Sequence, residues 1–248
     1  MLERREGQRV PEVAFRVGEN SEGTTVTTGQ IFNGRTVVVF SLPGAFTPAC
    51  SSTHLPRCNG LAPAFFANGV DSIVCVSVND TFVMNECVRD RECENVVPIP
   101  DGNGEFTDGM GMLVHEADLG FGKRSGRYSM PVQDGAVQES FIEPNKPGDP
   151  FEVSDADTML EYINPTGRRP VQVAIFNREG CHYCAKAKAL LAELGYDCAE
   201  VPLPQATRSR VVGAVTGEST VPRVFIDGEH IGGLEALQEW VKSAKKAA

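Results

Sequence analysis

The sequence predicts an α/β protein of two domains joined by a short linker. The chain has 248 residues, which is enough for two modest domains that each bury a core. Short β-branched runs alternate with segments of helical spacing, as is typical of a sheet with a parallel component. After the stretch NPTGRRP at 164–170 the same alternation begins again on a smaller scale. We therefore predict a first domain at 1–163, a linker at 164–170 and a second domain at 171–248.

The first domain has the pattern of a buried sheet whose strands are connected by helices. The runs TVVVFS and SIVCVSV are continuously apolar or β-branched, as expected for strands covered on both faces. An Asp-Gly pair between two alternating runs predicts a hairpin turn. In chain order we predict a strand at 36–41, a helix at 47–69 interrupted by Pro56 and Pro63, a strand at 72–78, a helix at 79–92, a hairpin at 127–144 turned at Asp134–Gly135, and a helix at 154–163 capped by Ser154 with Asp157.

The second domain follows the order strand, helix, strand, helix, hairpin and helix. The predicted elements are a strand at 171–176, a helix at 181–195, a strand at 198–203, a helix at 208–217, a hairpin at 221–233 turned at Asp227–Gly228, and a closing helix at 234–246. This order in so short a segment is the thioredoxin-like plan. We predict two thioredoxin-like domains, and both place a cysteine just after a strand, at a helix start.

The composition narrows the classes of function. A formal net charge of −10 argues against a nucleic-acid binder and favours an enzyme with small-molecule partners. No apolar run reaches membrane-spanning length, and the charged N-terminus has no secretory pattern, so we expect no membrane contact and a cytoplasmic location. In a reducing compartment each of the eight cysteines is a buried small side chain, a metal ligand or a reactive thiol.

The segment LPGAFTPAC carries the first candidate reactive thiol, Cys50, directly after a predicted buried strand. Unpaired N–H groups and the positive dipole end at a helix start favour a thiolate over a thiol. Pro48 suits the first helical position, because a proline has no N–H to lose there. Thr47 can cap the turn or direct its hydroxyl at whatever meets the sulfur. The alternative is that Cys50 only packs within the turn that caps the helix and has no reactive role.

Together these residues resemble the active-site signature of the peroxiredoxins, Pro43-x-x-x-Thr47-x-x-Cys50. The segment GKRSGRYSMPVQDG resembles the part of that family that supplies an active-site arginine, here Arg127. The runs CVSVND, PDGNGEF and DLGFGKRS are similar to the type II subgroup, and the resemblance covers residues 5–160. It implies that Cys50 is the peroxidatic thiolate, that Arg127 holds the thiolate and the peroxide, that Thr47 bonds the peroxide, and that Pro43 shields the pocket.

The second candidate is the pair Cys181 and Cys184, in a CxxC spacing that opens a predicted helix. Zinc sites use the same spacing but need about two further ligands, and the only later candidates are Cys198 and His230. The strand before the pair and the segment STVPRVFI after it resemble a glutaredoxin over residues 170–245. That resemblance implies that Cys181 attacks mixed disulfides and that Cys184 resolves them.

The glutaredoxin resemblance also implies a glutathione site. Its residues are Arg178, Tyr183, Thr220, Val221, Pro222, Gly232, Gly233 and Glu235. Thr220–Pro222 matches the family's cis-proline loop, and the glycine pair matches the contact with the γ-glutamyl group. The chain has His182 where a proline is common, and Ala236 follows Glu235 in place of a second acid. Two interpretations of His182 stay open: when protonated it stabilises the Cys181 thiolate, or it is solvent-exposed and has no electrostatic role. Because the proline is absent, a glutathione-ligated [2Fe–2S] cluster also stays open.

The remaining cysteines and histidines have plainer interpretations. We expect Cys75 and Cys198 to pack within their strands, and Cys58 to lie at the surface or to pack. Cys87 and Cys93 remain open, with a local disulfide as one possibility. His54 and His115 are expected to be ordinary polar residues, and we expect no metal site.

The two halves together predict a glutathione-dependent thiol peroxidase. Cys50 would reduce hydrogen peroxide or alkyl hydroperoxides, with Phe46 and Phe121 as an apolar approach to it. The glutaredoxin domain would then remove glutathione from Cys50, and the tether would raise the effective concentration of that step. The resemblance implies a homo-oligomer, a dimer or a tetramer, formed through the first domain. The alternative function is a peroxide-sensing relay that passes the oxidation to a partner protein.

Overall fold

The computed structural model describes residues 2, 4–18, 23–47, 53–144, 151–165 and 171–247 of the chain. The chain divides into two compact units, Met1–Arg169 and Pro170–Ala248. Each unit combines a mixed sheet with helices, so the predicted α/β class is confirmed. Most of the predicted linker lies outside the described residues, and the exact domain limits stay predictions. Within the described parts of the chain, no helix is long and apolar enough to cross a membrane.

The first unit is built on a sheet with the strand order β10-β8-β3-β4-β5, and β9 pairs with β8. Strands β3, β4 and β5 are parallel, and β8 is antiparallel to β3. The elements are β1 (Ala14–Val17), β2 (Thr24–Thr27), α1 (Thr28–Phe32), β3 (Thr36–Ser41), α2 (Leu55–Gly60), α3 (Ala62–Ala67), β4 (Ser72–Ser77), α4 (Thr81–Asp90), β5 (Val96–Pro100), α5 (Glu105–Gly109), β6 (Leu113–Glu116), β7 (Gly122–Ser125), β8 (Tyr128–Gln133), β9 (Ala136–Val137), β10 (Phe141–Ile142) and α6 (Ala156–Ile163).

Strand β3 is covered on both faces, which explains its uninterrupted β-branched sequence. Successive side chains of a strand point to opposite faces. Val38 and Phe40 therefore enter one core, formed with residues of α2, α3, α4 and α6. Val37 and Val39 enter a second core, which contains Phe106. The predicted strands at 36–41 and 72–78 are confirmed, with β4 ending at Ser77.

The predicted helix at 47–69 is two short helices, α2 and α3, and residues 48–52 lie outside the described part of the chain. Pro56 and Pro63 each lie in the first turn of a helix, where a missing N–H leaves no hydrogen bond unmade. The prolines therefore begin helices and do not interrupt one.

The predicted cap at Ser154 is wrong by one residue. Asp155 is the N-cap of α6, and its carboxylate accepts hydrogen bonds from the N–H groups of Asp157 and Thr158. A carboxylate at this position satisfies two unpaired donors and also matches the positive dipole end of the helix. By contrast, the predicted hairpin turn is confirmed: Asp134 and Gly135 have φ values of 47° and 75°, as a tight hairpin requires.

The second unit is a four-stranded sheet with the order β12-β11-β13-β14. Strands β11 and β12 are parallel, and the other neighbours are antiparallel. Its core contains Ile175, Leu191, Val224 and Leu237. Every predicted element of this unit is present. The elements are β11 (Val173–Asn177), α7 (His182–Glu193), β12 (Cys198–Pro202), α8 (Arg208–Thr216), β13 (Arg223–Ile226), β14 (Glu229–Gly232) and α9 (Leu234–Ala247).

Candidate active sites

The loop that leaves β3 is fastened to the end of the neighbouring strand β4. The Leu42 N–H donates to the Val76 carbonyl at 3.1 Å, and the Ser77 hydroxyl donates to the Leu42 carbonyl at 2.9 Å. Farther along, the Ala45 N–H donates to the side-chain oxygen of Asn79 at 3.0 Å. These bonds fix the loop at the carboxyl edge of the sheet. Pro43 is half-buried within the loop.

The end of this loop is tightly turned. Phe46 has a φ of 64°, a left-handed conformation that is rare for a bulky residue and is found most often at functional sites. The Thr47 hydroxyl donates to the Gly44 carbonyl at 2.8 Å, which leaves its oxygen lone pairs to accept from another group. Cys50 lies outside the described residues, so its predicted place at a helix start stays a prediction.

Arg127 lies directly before β8. Tyr128 pairs with Ser41, the last residue of β3, so the backbone of Arg127 is at the end of the sheet where the loop toward Cys50 begins. Only 3% of Arg127 is exposed. Its guanidinium carbon lies 5.4 Å from the ring centre of Phe151, within the range of a cation–π contact. A buried cation at this edge of the sheet can stabilise an anion there.

His54, which the sequence analysis treats as an ordinary polar residue, is fully buried. Its ring lies between the rings of Phe40 and Phe151, with centroid distances of 4.7 and 4.8 Å. Burial, and then the charge of Arg127, lower the pKa of His54 to about 3, so the imidazole is neutral near pH 7. The available sequence signal is its spacing, four residues or about one helical turn after Cys50.

Glu143 is a second buried polar residue that the sequence analysis missed. Its carboxylate accepts hydrogen bonds from the N–H groups of Glu152, Val153 and Ser154, at 2.7–2.9 Å. Its own N–H donates to the carbonyl of Arg127 at 3.0 Å. Glu143 therefore links the Arg127 backbone to the segment that carries Phe151. Its partners are backbone groups nine or more residues away, which leave no sequence motif.

In the second unit, the CxxC pair opens α7. Cys181 is the N-cap residue, and its sulfur accepts a hydrogen bond from the Cys184 N–H at 3.1 Å. The two cysteines form a disulfide, with a Cα–Cα distance of 5.2 Å. Cys181 is 7% exposed and Cys184 is 2% exposed. A sulfur at this position faces the positive end of the helix dipole, which favours its thiolate.

A cleft of about 640 Å³ opens beside Cys181 on the side of β12. The Lys188 ammonium donates to both carboxylate oxygens of Glu200, at 2.8 and 2.9 Å, and the Asn177 side chain also donates to Glu200. The hydrogen bond from Lys188, more than any other cause, lowers the pKa of Glu200. Of the predicted glutathione residues outside the CxxC pair, Arg178 lines this cleft.

Most of the other predicted glutathione residues lie on the opposite side of Cys181. Thr220, Val221 and Pro222 precede β13, which is the neighbour of β11 across from β12, and the Val221–Pro222 peptide bond is cis. Gly232, at the end of β14, has a φ of 120°, and a Cβ there would lie 2.9 Å from the Ala236 side chain. That position therefore excludes larger residues. Tyr183 and Glu235 are exposed, and Gly233 is half-buried.

The first residue of β13 is a buried arginine that carries no motif in the sequence. Arg223, 7% exposed, donates to the carbonyl and the hydroxyl of Thr220 at 2.7 and 2.9 Å. It also pairs with Glu218 at 3.0 Å. Arg223 therefore holds Thr220 beside the cis bond. Its position directly after the loop is not part of a family signature, so the sequence alone does not single it out.

Comparisons with known proteins match this two-unit arrangement. A redoxin family model matches residues 5–160, and a glutaredoxin family model matches residues 173–231. The hybrid peroxiredoxin hyPrx5 of Haemophilus influenzae is 56% identical over 95% of this chain and 98% of its own length. This chain belongs to the hybrid peroxiredoxins. It is therefore an oxidoreductase with a peroxidase domain and a fused glutaredoxin domain, and both domains have the thioredoxin fold.

Other relatives match the first domain of this hybrid peroxiredoxin. Peroxiredoxin sll1621 of Synechocystis is 53% identical, with 63% of this chain and 89% of its own length covered. The crystal structure of reduced Prx3 of Vibrio vulnificus in complex with H2O2 has a TM-score of 0.59 and 38% identity. It covers 64% of this chain and 98% of its own length.

The remaining cysteines of the peroxiredoxin domain are buried in its core. Cys58, Cys75, Cys87 and Cys93 are each 2% exposed or less. The packing role predicted for Cys75 is confirmed, and Cys58 packs as well. Burial raises the pKa of the Cys58 thiol, and it raises that of Cys93 to about 11. Cys87 and Cys93 are thiols, so the local disulfide is not formed.

The other predicted residues have these places. Cys198, half-buried, begins β12, and His115 is exposed on β6. Phe46 and Phe121 are 45% and 41% exposed, so both present apolar surface. Among the residues that the structure describes, no group of three acidic, histidine or cysteine side chains could hold a metal ion.

Proposed function

We propose that this hybrid peroxiredoxin reduces hydrogen peroxide and alkyl hydroperoxides at Cys50, with glutathione as the reductant. The observation that carries the proposal is the burial of Arg127, whose backbone lies at the end of β3, where the loop toward Cys50 begins. A cation there favours the thiolate and stabilises negative charge on the oxygen that leaves. The Thr47 hydroxyl, on the same loop, bonds the peroxide, and Pro43 shields it from water.

In the first step, the Cys50 thiolate attacks one peroxide oxygen and the O–O bond breaks. The sulfur becomes a sulfenic acid, and the second oxygen takes up a proton and leaves as water or an alcohol. In the second step, the thiol of glutathione displaces hydroxide from the sulfenic sulfur. The products are a mixed disulfide on Cys50 and a second water molecule.

The glutaredoxin domain then recycles Cys50. The Cys181 thiolate attacks the glutathione sulfur, which releases the Cys50 thiolate and moves glutathione to Cys181. A second glutathione thiolate attacks that disulfide, so glutathione disulfide leaves and Cys181 is restored. Cys184 provides a second route: its thiolate attacks the Cys181 sulfur and releases glutathione, and two further glutathiones reduce the resulting Cys181–Cys184 disulfide and leave as glutathione disulfide.

We propose that the cysteinyl and γ-glutamyl units of glutathione bind on the side of the cis bond, with the glycine carboxylate at Arg178 on the opposite side of Cys181. Pro222 is buried with its loop held by Arg223, which supports a fixed backbone edge for the cysteinyl unit. The glycine pair 232–233 supports a close approach of the γ-glutamyl group, whose ammonium would meet Glu235. Arg178, on the exposed rim beside Cys181, would bind the glycine carboxylate, with Tyr183 next to it.

We further propose that the enzyme works in the cytoplasm as a dimer or a tetramer formed through its first domain. The buried thiols Cys58 and Cys93 support a reducing compartment. The exposed apolar side chains of Phe46, Leu119 and Phe121 support contacts with another subunit or with a hydroperoxide. Sedimentation velocity of the full chain measures the assembly directly.

The activity test follows NADPH consumption with peroxide, glutathione and glutathione reductase. We expect many turnovers per protein, and loss of turnover in Cys50→Ser. Cys198→Ser is the matched control, because it removes a cysteine outside the proposed sites, and it should turn over as the unchanged protein does. Turnover that survives Cys50→Ser would contradict the proposal. A single oxidation per protein that continues only with a client protein would establish the relay instead.

A further inference from the structure

The ring of Phe151 contacts two buried polar side chains of the peroxiredoxin domain. In the first contact, the Arg127 guanidinium carbon lies 5.4 Å from the centre of the Phe151 ring. In the second contact, the centres of the His54 and Phe151 rings are 4.8 Å apart, and the planes of the two rings are tilted by 48°. Arg127 and His54 are 3% and 0% exposed, and Phe151 is half-buried. Phe151 is thus the side chain that these two polar groups have in common.

The position of Phe151 is set by its backbone neighbours. The next three N–H groups, at residues 152–154, all donate to the Glu143 carboxylate. Asp155 then caps α6, whose residues Met159 and Leu160 pack into the core. We call residues 151–155 the strap. Because the strap is held at both a buried carboxylate and a helix start, the Phe151 ring has a defined place over Arg127.

The charges favour this arrangement. An aromatic face attracts a cation, and the attraction is larger when the cation is desolvated, as the buried Arg127 is. His54 is neutral near pH 7, so it adds no repulsion against Arg127. The Glu143 carboxylate, which holds the strap, accepts hydrogen bonds from the three backbone N–H groups of residues 152–154. The Phe151 ring therefore lies against the face of a buried guanidinium.

We propose that Phe151 is a positioning residue for the oxidation of Cys50, and that its ring holds the Arg127 guanidinium in the orientation that serves the thiolate and the peroxide. This inference rests on the proposed function, in which Arg127 acts on Cys50. Phe151 does not react itself. It restricts the rotamers of Arg127, so that less ordering is needed when the peroxide binds.

The test compares Phe151→Leu, which keeps an apolar side chain without a ring, with Phe151→Tyr, which keeps the ring. The rate constant for Cys50 oxidation is measured by stopped flow, and the Cys50 pKa by the pH dependence of its alkylation. We expect Phe151→Leu to slow oxidation about tenfold and to raise the Cys50 pKa, because the buried Arg127 loses its aromatic contact. Phe151→Tyr should stay within about twofold, since the π face remains. Equal rates in Phe151→Leu and the unchanged protein would overturn the proposal.

A double-mutant cycle separates a positioning role from general loosening of the fold. In an Arg127→Gln background, Phe151→Leu should slow oxidation by less than about twofold, because the group it positions is gone. A tenfold loss in that background would overturn the proposal. If Phe151→Leu does not unfold cooperatively, Phe151→Met replaces it and is judged by the same two outcomes. Oxidation that persists in Cys50→Ser would instead show that the proposed function is wrong.

Discussion

The Arg57 guanidinium donates two hydrogen bonds to the Asp157 carboxylate, at 2.9 and 2.7 Å. This pair joins α2, which begins five residues after Cys50, to α6, which ends just before the predicted linker. Both side chains are partly buried, with 17% and 33% exposed. The helix after the proposed reactive cysteine is therefore anchored to the last helix of its domain.

Asp157→Asn should destabilise the peroxiredoxin domain by about 1–2 kcal/mol. The reason is that the carboxylate loses its charge and its pair of charged, partly buried hydrogen bonds from Arg57. Urea unfolding followed by circular dichroism measures the change. The single tryptophan, Trp240, lies in the second unit, so its fluorescence reports whether that unit is unaffected. Glu86→Gln, in the exposed pair with Arg89, is the control and should have a smaller effect. An unchanged unfolding midpoint in Asp157→Asn would show that the anchor contributes nothing.

The stability of the peroxiredoxin domain should depend on pH through His54. The pKa of His54 is about 3 in the folded protein, against an ordinary value of 6.5. Between these values the unfolded chain binds a proton that the folded protein does not. The stabilisation is therefore complete above pH 6.5 and is lost as the pH falls toward 3, by about 1.4 kcal/mol per pH unit.

The measurement is the free energy of unfolding from pH 7 to pH 5. We expect a flatter dependence in His54→Gln than in the unchanged protein, whatever its stability at pH 7. His115→Gln removes an exposed histidine and should leave the slope as it is. Identical slopes in all three proteins would mean that His54 titrates normally in the folded state.

Removing the Thr47 hydroxyl should slow Cys50 oxidation. Thr47→Val keeps the shape of the side chain but loses both the bond to the Gly44 carbonyl and the contact proposed for the peroxide. We expect a loss of about a hundredfold, because the peroxide O–H loses its acceptor and the buried Gly44 carbonyl loses its donor. Thr47→Ser keeps the hydroxyl and should stay within about tenfold of the unchanged protein. Stopped-flow oxidation decides, and similar rates in Thr47→Val and Thr47→Ser would exclude a role for the hydroxyl.

The two cysteines of the glutaredoxin domain should have unequal importance. Cys181 is the N-cap residue, and its hydrogen bond comes from the backbone of Cys184, so it survives Cys184→Ser. Cys184→Ser should therefore retain most of the glutathione-dependent turnover. Cys181→Ser should reduce turnover about a hundredfold, because direct reduction by free glutathione lacks the tethered step. The first oxidation of Cys50, measured in a single turnover, should be unchanged in both.

An equal loss of turnover in the two variants would contradict this division of roles. Slower oxidation of Cys50 in Cys181→Ser would also contradict it, since that step needs no residue of the second domain. Lys188→Met alters the cleft beside Cys181 and is measured in the same single-turnover assay. It removes the partner that lowers the pKa of Glu200, but it should leave single-turnover oxidation of Cys50 unchanged.

The sequence predicts those parts of the fold that depend on local rules. The strands at 36–41 and 72–78 are recognisable because burial on both faces demands continuous β-branched runs. The CxxC helix is recognisable because the cap residue and the helical spacing are adjacent in the chain. The short strands β1, β2, β6 and β7 carry no such pattern, and tertiary pairing alone defines them.

The supporting residues of the site depend on contacts between distant segments. Glu143 bonds backbone N–H groups, which every sequence has, and the aromatic rings around His54 come from β3 and from the strap. Neither relationship has a fixed spacing that a motif could record. The cap at Asp155 was missed for another reason, since Ser154 and Asp155 are both good cap residues and side-chain geometry selects between them.

The most direct test of the central claim is mass spectrometry of Cys181→Ser after one equivalent of peroxide and then glutathione. With the recycling thiol removed, we predict that a single glutathione accumulates on Cys50. In the unchanged protein, which has Cys181, the same treatment should leave no adduct on Cys50 and should release glutathione disulfide. A glutathione on another cysteine, or a disulfide between Cys50 and Cys75 in place of the adduct, would contradict the account.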